Sequence, residues 1–98
     1  MMGKAEPHIH IDNAHVRVTE WRFSPGDETG WHRHDLDYVI TPVNGGEVEI
    51  VHGDGTRTPF TMEPGKSYYR EAGVEHNVVN STGGELSFVE VELKSRPG

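Results

Sequence analysis

The sequence predicts an all-β domain, a sandwich or barrel of about seven or eight short strands. Three observations carry that expectation. Twelve glycines and six prolines in 98 residues call for many turns. No stretch of about 10 residues keeps a helical period. The apolar residues instead fall in short alternating runs between turn signals.

Residues 8–12 read as a first short strand with Ile9 and Ile11 on one face. Residues 15–23 make a second. Val16 and Val18 share one face of it, but Trp21 and Phe23 fall on the other, which predicts a bulge or a corner. Ser24-Pro25-Gly26-Asp27 then turns the chain. A strand over residues 37–43 meets Asn44-Gly45, a strong hairpin signal, and residues 47–52 form the returning strand. After Gly53-Asp54-Gly55, residues 57–62 follow with Phe60 and Met62 on one face. Glu63-Pro64-Gly65 turns again, and residues 67–70 and 76–80 are two more short strands. Residues 81–85 are a polar turn, and Leu86 to Leu93 closes the domain. The apolar face of that last strand switches from Leu86 and Phe88 to Val89, Val91 and Leu93. Either a bulge lies there or both faces are covered, one of them by a partner chain. Residues 94–98 read as a loose tail. The whole, 1–98, is one domain with its barrel over about residues 15–93, and a core this thin favours a homodimer.

Sixteen acids against nine bases give a formal net charge of -7, with no basic cluster, which argues against a nucleic-acid partner. No apolar run approaches the roughly 20 residues of a membrane span. Residues 1–7 are polar and lack the apolar core of a signal peptide, so a cytoplasmic location is expected. The absence of cysteine removes disulfides, thiolate ligands and thiol nucleophiles. No nucleophile motif supports a Ser-His-Asp arrangement, and no glycine-rich loop precedes a helix.

Seven histidines then ask for a chemical explanation. His32 and His34 are two residues apart, which on a strand places both on one face, about 6–7 Å apart. His76 begins another strand, far enough along to return across a barrel. Three neutral imidazoles with open positions suit Fe, Mn, Co, Ni or Zn as a divalent ion. Such a set should release metal as pH falls through about 6 to 7, where imidazole protonates. His8 and His10 repeat the pattern without a third ligand, and His15 and His52 sit beside turns and read as solvated. Glu47, Glu49, Glu90 and Glu92 read as solvated strand faces. Asn80 reads as structural, near a strand end.

The spacing of Gly26, His32, His34, Tyr38 and Gly45 resembles the first motif of the cupin family. Gly65, Glu71, Gly73, His76 and Asn80 are similar to the second. The resemblance runs from about Val16 to Leu93. It implies a double-stranded β-helix, or jelly-roll barrel, whose interior holds a metal and a small substrate. Two positions depart from the family: Tyr38 stands where a glutamate is usual, and Glu71 where a proline is usual. The runs from Gly30 to Tyr38 and from Tyr68 to Asn77 are similar to small bacterial cupins assigned to β-alanine degradation.

What the resemblance implies about function is an expectation of the following kind. His32, His34 and His76 hold the metal. Tyr38 follows His34 on the same face and ligates, orients substrate or handles a proton. Arg70 is either a clamp for a substrate carboxylate or an exposed partner of Glu71. One of Tyr68 and Tyr69 faces inward, and Trp31 and Phe88 form core or pocket wall. The ligand is a small organic acid or related metabolite. The chemistry is dioxygenation, elimination or isomerisation at the metal; the other reading is a barrel that binds or senses a metabolite without turnover.

Overall fold

The computed structural model describes residues 3–94. They form nine strands and no helix. Strands β1 (Glu6–Asp12), β2 (Val16–Phe23), β9 (Leu86–Leu93), β4 (Tyr38–Pro42) and β7 (Tyr68–Arg70) lie side by side in that order. The second sheet has the order β3 (His32–Arg33), β8 (Glu75–Asn80), β5 (Gly46–Val51) and β6 (Arg57–Met62). All strand pairs are antiparallel. This is the expected two-sheet barrel. Of the expected tail, only Lys94 lies within the described residues; it ion-pairs with Asp12.

The two phase switches have a common cause, and it is not a bulge. β2 and β9 pair without interruption from Val16↔Leu93 to Phe23↔Leu86. Alternation therefore continues along both strands. Arg17, Thr19, Trp21 and Phe23 face inward on β2, opposite Glu92, Glu90, Phe88 and Leu86 on β9. Val16, Val18, Val89, Val91 and Leu93 share the outer face, where they are half-buried. The one register shift in this sheet is in β1, between Ile9 and Ile11, both exposed.

The Asn44-Gly45 signal also resolves differently. β4 and β5 lie in different sheets, so this segment is a crossing and not a hairpin. Asn44 keeps negative φ. Its side chain instead ties the crossing to the start of β9, accepting from Ser87 N at 2.6 Å and donating to Glu85 O at 2.8 Å.

The core fills one end of the barrel. Leu86, Phe23, Phe88 and Val48 are at most 3% exposed, and Phe23 packs on Phe88 with ring centres 5.4 Å apart. Each such side chain contributes about 1.5–3 kcal/mol by leaving water. Asn80 is structural, as expected. It donates to Ser24 O and Gly84 O, and accepts from the backbone and hydroxyl of Thr82. It pins two turns while itself 2% exposed.

Candidate metal centre and the cavity around it

Along β9 the inward residues change character, from Leu86 and Phe88 to Glu90 and Glu92. The change marks where the packed core gives way to a cavity of about 500 Å³. Its walls are largely apolar, with Ile40, Ile50, Phe60, Met62, Val78 and Phe88 among them. That size suits a small-molecule ligand.

On the four-stranded sheet, His32 and His76 are direct cross-strand partners. His34 follows one residue beyond β3 and is fixed by two reciprocal backbone bonds, its N–H to Val74 O at 2.8 Å and Gly73 N–H to its carbonyl at 2.7 Å. Gly73 has φ of +103°, a conformation that side-chain-bearing residues rarely adopt. The histidine ring nitrogens converge. His32 Nε2 lies 2.9 Å from His34 Nε2, which lies 3.3 Å from His76 Nε2. One ligand nitrogen from each residue falls within 4.8 Å of the others.

These donors fit a divalent ion. Metal–nitrogen bonds of about 2.1 Å separate two donors by about 3.0 Å at octahedral angles and about 3.4 Å at tetrahedral ones. His32 is also held in the ligating tautomer: its Nδ1–H donates to Gly30 O at 2.9 Å, which leaves the Nε2 lone pair facing the cluster. Gly30 can turn its carbonyl back because it adopts φ of +84°. Burial, then the neighbouring imidazoles, depress the ring pKa of His34 to about 4 and of His76 to about 3. Both rings therefore stay neutral well below their ordinary range.

Tyr38 is buried and stacks face to face on His34, ring centres 3.9 Å apart. Burial, followed by the charge of Glu90, pushes its phenol up to about 12. It therefore holds its proton and can donate a hydrogen bond into the cavity. Tyr68 is the inward member of its pair, packed edge-on against Phe60 at 4.9 Å. Tyr69 faces out, 53% exposed. Arg70 lies over the rings of Phe60 and Tyr68, at 5.6 and 5.8 Å from their centres. It lines the cavity, and no ion pair joins it to Glu71 among the described residues. Trp31 is corrected: it is not a wall of the cavity but lies outside, 53% exposed, across from Gly53. The residue is next to inward His32, so strand alternation turns it outward.

Two more corrections concern residues read as solvated. His52 lines the cavity and bonds Thr58 Oγ1 at 2.8 Å. Glu90 and Glu92 are 7% and 9% exposed and face inward. Glu92 is held by Arg17 through two bonds, at 2.8 and 3.0 Å. Glu90 accepts from the Trp21 side chain; burial, then the charge of Glu92, lifts its carboxyl to about 7. The signal was available: Glu90 and Glu92 share parity with Leu86 and Phe88, and Arg17 shares parity with Trp21 and Phe23. Glu47 is exposed as expected, and Glu49 pairs with Arg57 at the surface. His8 and His10 reach Glu6 and Glu20, with no metal cluster around them among the described residues.

The sequence model described as a cupin domain matches residues 19–92. The chain belongs to the cupin family. This cupin is 48% identical to the β-alanine degradation protein BauB of Pseudomonas aeruginosa over 91 residues, 93% of this chain and 95% of BauB. It superposes on the crystal structure of a cupin domain from Bordetella pertussis with a TM-score of 0.92 and 46% identity, covering 97% and 98% of the two chains. A Klebsiella pneumoniae protein with a double-stranded β-helix domain is also similar. There the TM-score is 0.77 and the identity 25%, covering 98% of this cupin and 82% of that chain.

Proposed function

We propose that this cupin holds one divalent metal ion through His32, His34 and His76 and uses it to act on a small organic acid in a catabolic pathway. The observation that carries the reading is the convergence of three imidazole nitrogens on one wall of a cavity of ligand size. The name of the BauB relative supports the metabolic setting, since its printed role is β-alanine degradation.

When bound, the ion supplies a Lewis acid or a redox centre, for chemistry of the dioxygenase or lyase type. The chain's own residues do the rest. His32, His34 and His76 would hold the ion without adding negative charge, so it would keep its charge to attract an anionic group such as a carboxylate. Arg70 has no acid partner among the described residues and, beyond its bond to Tyr69 O, offers a planar fork to the same anion. Tyr38 orients the ligand as a hydrogen-bond donor and keeps His34 in place by stacking. The apolar walls exclude water from the ligand's body.

The test is elemental analysis of untagged protein purified without added metal, beside His32→Ala. About one equivalent per chain is expected, falling below about a tenth in the variant. Failure of the wild type to take up Fe, Mn, Co, Ni or Zn on reconstitution would remove the metal reading. A barrel that binds carboxylates without metal would then be the function left standing.

A further inference from the structure

The cavity has two chemical poles. One is the histidine centre, where the charge of Arg70 bears on His76 and Tyr38. The other is Glu90, on the central strand of the sheet that also carries Arg70 and Tyr38; its charge too bears on Tyr38. Glu90 is 7% exposed and opens onto the same cavity. Its surroundings leave it short of positive charge. On β9, Glu92 adds a second negative charge. On β2, Arg17 spends its fork on Glu92, and Trp21 offers one neutral N–H. On β4, Tyr38 is neutral, and on β7 Arg70 lies over aromatic rings. The facing sheet presents His32, His34, His52 and His76. A buried carboxyl so placed has a neutral hydrogen bond, a cation in Arg17 already paired with Glu92, and no ion pair of its own among the described residues, which is costly unless something else delivers the charge.

We propose that Glu90 is a specificity-determining residue that receives the ammonium group of an amino-acid ligand whose carboxylate sits at the histidine centre. The inference rests on the metal-site reading above and names the substrate class of that site. A ligand with one anionic and one cationic end matches both poles. A plain carboxylic acid satisfies only the first, and a plain amine meets the positive metal pole without compensation.

Acid–base behaviour supplies an independent check. An alkyl ammonium titrates near 10, far above neutrality. Glu90 is partly protonated at pH 7, so an arriving ammonium must ionise it fully. Preference for the amino acid should therefore grow from about pH 6 to about pH 8, as Glu90 gives up its proton unaided.

Calorimetric titration of the zinc-loaded full chain tests this with matched probes: β-alanine against propionate, 4-aminobutyrate against butyrate, 5-aminopentanoate against pentanoate. At pH 8 at least one amino acid should bind roughly tenfold or more tightly than its partner acid. Glu90→Gln keeps the shape and the acceptor for Trp21, and should bring that ratio to near one with zinc content unchanged. Glu90→Leu, checked for folding by circular dichroism, should do the same. Carboxylates that bind with no preference for the amine in any pair would overturn the role of Glu90 and leave the metal site intact. A preference that survives in both variants would do so too. Carboxylates that bind zinc-loaded and metal-free protein alike, or neither, would instead sink the metal reading and this inference with it.

Discussion

Replacing Glu90 by glutamine should stabilise the metal-free protein at alkaline pH and leave it little changed in acid. The carboxyl rises from 4.5 to about 7 in the fold. Each pKa unit corresponds to about 1.4 kcal/mol, so holding Glu90 ionised inside the barrel costs about 3 kcal/mol. The sign follows from the order of the two values. The folded protein binds the proton more tightly than the unfolded chain does. The stability this confers is full below 4.5 and is lost as pH rises through 7. Glutamine is neutral throughout and escapes the loss. Between about pH 5 and pH 8.5 the variant should gain about 2.5 kcal/mol on the wild type. Urea unfolding followed by tryptophan fluorescence measures both proteins at each pH. The indole of Trp21 touches the group in question, so the signal is local as well as global. Taking the difference cancels the histidines, which titrate in both proteins. A difference that stays flat across this range would refute the placement of Glu90 as a buried, poorly compensated acid.

Other perturbations follow from the same cavity. Arg17→Met strands Glu92 without its partner and should cost about 2–3 kcal/mol at neutral pH, read by urea unfolding; an unchanged midpoint would mean Glu92 reaches water. His34 and His76 have folded pKa values below their usual 6.5, so the unfolded chain takes up protons first. Metal-free protein should lose up to about 3 kcal/mol through this pair as pH falls from 7 to 5, and the double alanine variant should lack that slope. The homodimer expected from the thin core would use the half-buried apolar outer face around Val89 and Val91. Val91→Asp should then convert a dimeric mass to a monomeric one by light scattering, whereas a monomeric wild type would dispose of the dimer.

Much of this molecule was legible before its structure. Strand positions followed from turn residues, because Gly, Pro and Asx chemistry acts locally. The histidine cluster followed from spacing, since His32 and His34 share a face by strand geometry alone. What escaped were facts about which face is inside. Glu90 and Glu92 look like surface residues when each is judged by its type. Judged by parity with Leu86 and Phe88 they are interior, and the valines between them are the outer ones. The mixed apolar and acidic pattern on both faces hid this, because neither face of β9 is uniformly of one kind. Tyr68 and Tyr69 could be ordered only by the pairing of β7 with β4, a long-range register that local sequence does not contain. The Asn44-Gly45 dipeptide failed for a related reason. Its turn chemistry is real, but whether a turn joins neighbours in one sheet or crosses between two is a tertiary matter.

All three nitrogen donors belong to one sheet and the loop that follows it, while Glu90, Glu92 and Arg17 hang from the other. An ion seated among the histidines would thus bridge nothing between the two layers. Small sliding of one layer over the other would alter the span from metal to Glu90 without stretching a single ligand bond. The part that grips the ion and the part that reads the guest are separable in the same sense. On that reading, substitutions along β9 would retune the guest without removing a ligand of the ion, so a barrel of this plan could trade one metabolite for another by changing a single strand.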